Sequence, residues 1–205
     1  MYIKHNHDLC NDSNKINLNL VKFGYAVADN NWKGKVVNPV CSRLYYVISG
    51  SAEIYFGDKV AELGEGKWYL LPAGLSFDYK CKTQMEHIYF HIKLSGSDGI
   101  DMLSASKEVL KYKSDAVNID EIKNLIVKRG VLSALKLKQT VFEALIPILE
   151  ENKLSLEKTK LSNSTKKSIE FIKTNLSVGL NISQIVEFCF CSISFASSIK
   201  MSFNI

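Results

Sequence analysis

The stretch LYYVISGSAEIYFGD (residues 44–58) decides how the first half of this chain is built. Two apolar and aromatic runs, Leu44–Ile48 and Glu53–Phe56, flank Ser49-Gly50-Ser51-Ala52, and Gly57-Asp58 closes the second run. β-Branched and aromatic residues suit a pleated, half-buried surface, while Gly, Ser and Asp suit turns, so the spacing predicts a β-hairpin. The texture continues downstream through KVAELGEGKWYLLPAGLSFDYKC (residues 59–81), where Gly64, Gly66 and Pro72-Ala73-Gly74 punctuate further strands. In Glu86–Leu94, His87, Tyr89 and His91 alternate with Ile88, Phe90 and Ile92, a period of two. Many short strands at close spacing, from about Leu20 to Leu94, predict a barrel or sandwich.

After SGSDG (residues 95–99) the chain turns rich in Lys, Leu, Glu and Ala with helical spacing. Leu135, Phe142, Leu145, Ile146 and Leu149 are expected to form one apolar stripe of a helix. Either the sheet of the same subunit or a second subunit can cover that stripe. Pro147 predicts a kink or a fresh helix start. In LSNSTKKSIEFIKTNL (residues 161–176), Ser164 or Thr165 can cap a helix with Ile169, Ile172 and Leu176 on one face. NISQIVEFCF (residues 181–190) and Ile193–Phe203 predict two more short helices, separated by a break at Cys191-Ser192. Two helices joined by a tight turn have the form of a helix-turn-helix. The expected class is α+β in three parts: a β-barrel over 1–99, a helical linker or dimerisation segment over 100–157, and a partial helix-turn-helix over 158–205.

Composition narrows the function. The 205 residues are 46% hydrophobic and 23% charged, values of an ordinary globular chain. No apolar run reaches the roughly 18 residues of a membrane span, and MYIKHNHDLC has no apolar leader core, so the expected address is the cytoplasm, away from membranes. Cys10, Cys41, Cys81, Cys189 and Cys191 include no CxxC pair, which argues against a disulfide framework or a zinc knuckle. The net charge of +5 is skewed: residues 158–205 hold six lysines against Glu170 and Glu187. Such a skew attracts polyanions.

The run Gly66-Lys-Trp-Tyr-Leu-Leu-Pro72-Ala-Gly74-Leu-Ser-Phe77 resembles the second cupin motif, in which a histidine stands where this chain has Phe77. The stretch Val40–Gly50 also lacks the cupin His-x-His. A metal needs three or four donors converging on one point, so neither a metal nor any other cofactor is expected, and no enzyme. His5 and His7 lie in a polar terminus. His87 and His91 are about 13 Å apart on an extended strand, too far to share an ion, and are expected to line the barrel or face solvent. No GxSxG, HExxH or phosphate-cradling glycine loop is present. Arg43 can fork onto paired hydroxyls or a carboxylate of a ligand, with Tyr45, Trp68, Phe77 and Tyr79 as stacking faces. The competing use of those aromatics is simply to fill the core.

RLYYVISGSAEIYF (residues 43–56), GEGKWYLLPAG (64–74), IYFHIKL (88–94) and the helices that follow resemble the AraC family of transcription regulators. The resemblance implies a cupin-like, jelly-roll domain that binds a small-molecule effector, a sugar or other metabolite, in a homodimer that addresses operator DNA. The family's alanine in the first helix of its reader is matched by Val186, and its recognition run by Cys191–Lys200, which lacks the arginine and an aromatic. Ser192, Ser194, Ser197, Ser198 and Lys200 remain to contact DNA, chiefly at phosphates. One reading unit is present where the family has two. The rival reading is therefore a stand-alone sensing and dimerisation module without productive DNA binding.

Overall fold

In the computed structural model Ser42–Phe56 is one strand, not the predicted hairpin, and its inward-facing side chains change phase at a bulge, from Tyr45 and Val47 to Ala52, Ile54 and Phe56. The structure describes residues 10–11, 13–96, 99, 101–114, 116–154, 156, 163–175 and 183–184. The strands are β1 (Asn17–Asp29), β2 (Lys33–Val36), β3 (Ser42–Phe56), β4 (Lys59–Gly64), β5 (Lys67–Leu71), β6 (Phe77–Ser95) and β7 (Leu110–Lys113). Gly50 does not turn the chain back. It adopts φ +75° at a bulge, so β3 bends and stays paired to β6 on both sides of the irregularity. The true hairpin turn is Gly57-Asp58, where Phe56 pairs with Lys59.

All pairings are antiparallel, and the two long strands form the centre. One end of β3 pairs with β5 and the other with β4, while β6 carries β1 and β2 in the same way, and β7 extends the sheet beyond β5. Bending brings the inner faces of the two ends together over one core: Tyr45, Val47, Tyr69 and Leu71 meet Ile54, Phe56, Leu63, Phe77 and Cys81. This is a cupin-like β half within an α+β protein.

The opposite face of the sheet carries a second core. Leu44, Tyr46, Trp68, Leu70, Ile88, Phe90 and Ile92 pack with Ile122 of α1 (Ile119–Val127) and with Leu137, Val141, Ala144, Leu145 and Ile148 of α2 (Val131–Glu151). Burying each such aliphatic side chain is worth about 1.5–3 kcal/mol, so this face holds α1 and α2 to the sheet. Asn118 caps α1 by accepting from the Glu121 N–H at 3.1 Å. Lys123 ties α1 to the sheet edge: its Nζ lies 3.1 Å from Glu86 and 4.0 Å from the centroid of the Tyr25 ring.

Two expectations for this region are corrected. The buried face of α2 is Leu137, Val141, Ala144, Leu145 and Ile148, whereas Leu135 and Ile146 point to solvent at 58% and 52% exposure. The sequence stripe mixed two faces because α2 is apolar on both. In addition, α2 continues through Pro147 to Glu151. The proline ring cancels only the donor that would reach the carbonyl of Glu143, which lies on an exposed flank.

The chain divides into two compact units, one of residues up to 97 with 101–156, the other of 98–100 with 157–205. In the second, the helix expected after residue 161 is α3, Asn163–Asn175, with Ile169 and Ile172 buried. The helix expected at Ile193–Phe203 lies outside the described residues.

Within the first unit, Asp101 is buried beside Ser42 and accepts from the Leu103 N–H at 3.0 Å. Burial lifts its pKa to about 6. A carboxyl whose folded pKa lies above its unfolded value gives stability that is present below the unfolded value, near 4, and is lost as pH rises through 6. His91 works the other way: burial, Arg43 and Lys22 lower its pKa to about 4, so its contribution is lost as pH falls from 6.5. Replacing Asp101→Asn removes the first effect alone. The variant is expected to be more stable than the parent by about 2–3 kcal/mol at pH 7, with the gain vanishing near pH 4 in urea unfolding. A gain independent of pH would contradict the assignment.

Candidate functional site

Register places side chains on the inner face row by row. Arg43 on β3 pairs with His91 on β6 and Leu71 on β5, and His91 pairs in turn with Lys22 on β1. Partners directly across antiparallel strands share a face at about 5 Å, so three basic groups stand side by side in one row. Lys22 joins it because β1 carries an irregularity between Leu20 and Lys22, which moves Lys22 onto the inner face. The next row inward is Gly24, Tyr89, Tyr45 and Tyr69.

Rings line the interior continuously from this row. Arg43 Cζ lies 5.2 Å from the centroid of Phe77, joining the two ends of the folded sheet. Phe77 is 6.3 Å from Tyr79, Tyr79 is 4.4 Å from Trp32, and Trp32 is 5.9 Å from His87. His87 lies 5.6 Å from Tyr45 and 6.0 Å from Tyr89, which is 5.7 Å from His91, the cross-strand partner of Arg43. The circuit closes on itself.

Two buried polar atoms in this interior have no hydrogen-bond partner among the described residues, Arg43 Nε and His87 Nδ1. A buried donor or acceptor left unmade costs about 1–3 kcal/mol, more when charged, so both hold bonding capacity for a guest. The electrostatics agree in direction. Burial lowers the pKa of His87 and, aided by the positive charges of Arg43 and Lys22, that of His91. Burial raises the Tyr45 hydroxyl, against the pull of Arg43. The field at the row is positive, and an anion placed there would meet a guanidinium, an ammonium and an imidazole. Among the described residues no three His, Cys, Asp or Glu side chains converge as ion ligands.

Of the ligand residues expected from sequence, Arg43, Tyr45, Phe77 and Tyr79 come together on this inner face. Trp68 does not. With a period of two, Trp68 faces away from its neighbour Tyr69 and packs on the outer face, 5.1 Å from Tyr46 and 6.3 Å from Phe90. Tyr69 points inward instead, and its hydroxyl accepts from the Gly64 N–H at 2.8 Å. His87, Tyr89 and His91 were legible as one face of a strand, but not which side of the sheet that face joins. Trp32 and Lys22 were missed, since only the pairing of β1 and β2 with β6 brings them in. Ser192, Ser194, Ser197, Ser198 and Lys200 lie outside the described residues.

The inner face of the sheet thus carries an aromatic wall with a basic row at one end, and α1 and α2 cover the outer face. No known family model and no characterised protein sequence matches the chain. Among solved structures it is similar to ToxT from Vibrio cholerae, at 12% identity over 93% of this chain and 77% of that one, TM-score 0.43. A ToxT structure with bound unsaturated fatty acid gives 11% identity over 95% and 76%, TM-score 0.45. A cupin-2 domain protein from Shewanella frigidimarina is 17% identical over 38% of this chain and 78% of that one, TM-score 0.29. No helix among the described residues is long and apolar enough to cross a membrane.

Proposed function

We propose that the chain is a ligand-responsive transcription regulator of the AraC type, whose effector is an acid with an apolar body held in the β interior. The observation that carries the reading is the buried Arg43 Nε without a partner, in a row with His91 and Lys22 and over a wall of aromatic rings. A neutral sugar would use the hydrogen-bond donors but leave the positive field unanswered, so the residue set favours a carboxylate. In a thermal-melt panel, aryl- and alkyl-carboxylates are expected to raise the melting temperature while their alcohols do not. Stabilisation by neutral sugars and none by acids would overturn this choice.

The regulator reading needs a dimer and a DNA contact. The outer face of α2 supports the first: Leu132, Leu135 and Ile146 are 68%, 58% and 52% exposed and recur at steps of three and eleven residues, which keeps them on one face of the helix. That spacing makes a seam for a second helix of the same kind. Leu135→Lys with Ile146→Lys is expected to turn a dimer into a folded monomer in sedimentation velocity. A monomeric parent would contradict the seam.

The DNA contact rests on the sequence alone, on the lysine-rich tail and on Ser192, Ser194, Ser197, Ser198 and Lys200. Effector would act by binding unequally to two arrangements of the chain, the condition for any ligand to shift an equilibrium. Fluorescence anisotropy with DNA from upstream of its own coding region tests this half. Retention at 150 mM salt with preference over scrambled DNA is the expected result. Binding only at low salt and without preference would favour a sensing and dimerisation module that does not read DNA.

A further inference from the structure

A cavity lies on the other face of the sheet, with none of the aromatic interior in its lining. It measures about 500 Å³, within the range of small-molecule sites. Trp68, Ile122 and Ala144 form its buried floor, and Glu121, Lys136, Gln139 and Glu143 stand on its rim, contributed by α1 and α2.

The rim is not electrically neutral. Lys136 is committed to Glu121, with Nζ 3.2 Å from Oε1. Glu143 accepts from the Gln139 amide at 2.8 Å, and among the described residues no cation pairs with it. A carboxylate is thus left facing a cleft whose floor is an indole. Both features select the same guest, because a carboxylate binds an ammonium directly and an indole in the lining suits the apolar body that the ammonium carries. We infer that this cleft is a second binding site, for a small organic cation with a flat or chain-like apolar body, distinct from the acid site in the β interior.

The position has a consequence for the molecule. A guest spanning Trp68 and Glu143 would brace α2 against β5, and the adjoining face of α2 carries Leu135, four residues before Gln139, and Ile146, three residues after Glu143. Occupancy of the cleft would then be felt at the exposed seam.

The protein has two tryptophans, and each reports one site: Trp32 sits among the interior rings and Trp68 on the cleft floor. In the full-length Trp32→Phe variant, emission from Trp68 is followed as 4-phenylbutylamine is added, with 4-phenylbutyrate as the matched anion. The amine is expected to give a saturable change and the acid none. Glu143→Gln on an exposed flank should weaken the amine about 10-fold or more, and Thr140→Phe, which fills the cleft from its rim, should abolish the response. Trp68→Phe, read through Trp32, is the mirror experiment, in which the acid and not the amine should act. No saturable response to the amine, an equal response to both probes, or an amine affinity unchanged in Glu143→Gln would each overturn the cleft site. Failure of the acid in Trp68→Phe would count against the interior site alone.

Discussion

Gly50→Ala is expected to destabilise the fold by more than about 3 kcal/mol, a large part of the roughly 5–15 kcal/mol that holds a domain together. Two physical causes act at once. The residue sits at φ +75°, a region that side chains other than glycine rarely adopt. More severely, a Cβ there would lie 2.0 Å from the backbone carbonyl oxygen of Gln84, in the strand paired with β3. No rotamer change relieves that contact. The β3 and β6 ladder would have to part at the bend that folds one end of the sheet over the other. Gly57→Ala is the proper comparison, because its φ of +54° is also unusual for alanine but a Cβ there meets nothing within 4 Å. It should cost about 1 kcal/mol. Urea unfolding of both variants checks the contrast, and equal, small losses would show that the bend does not depend on close approach at Gly50.

The second large effect concerns the guest. Arg43→Gln should weaken binding of a carboxylate ligand about 10- to 100-fold, the value of a charge-assisted hydrogen bond lost from a partly desolvated site. Because the parent leaves Arg43 Nε unpartnered, the variant should fold at least as stably without ligand as the parent does. Arg43→Lys keeps the charge but not the planar fork, and should fall between the two. Calorimetric titration measures all three, and a glutamine variant that binds like the parent would remove Arg43 from the site.

Much of the β half was legible because alternation is a strong signal. The inward set of Tyr45 and Val47 and the outward set of Leu44 and Tyr46 follow from a period of two once one residue is placed. Bulges defeat that reading. Ser49-Gly50-Ser51-Ala52 has the composition of a turn, and only the pairing partner β6, distant in sequence, keeps β3 extended through it. The short strand β7 was missed because Leu110-Lys-Tyr-Lys113 is brief and lies in a lysine-rich stretch of helical texture, although its alternation is real. On α2, local sequence could not separate the sheet-facing residues from the exposed stripe, since both recur at helical spacing.

The site divides in the same way. Arg43 stood out because a charge opening an apolar strand needs a reason. His91 and Lys22 did not, because their proximity to Arg43 is a matter of register across three strands. Trp68 was assigned to the inner face for want of one phase choice, and that same residue lines the cleft on the outer face.

The most direct test of the acid site is the imidazole of His91, followed by nuclear magnetic resonance through a pH titration with and without a carboxylate. In the free protein its pKa should be about 4, held down by burial and by its two cationic neighbours. A carboxylate bound among Arg43, Lys22 and His91 would stabilise the imidazolium and lift that value by about two units, back into the ordinary range of a histidine. If His91 still titrates near its free value with the ligand saturating, the anion does not sit in this row and the account of the β interior is wrong.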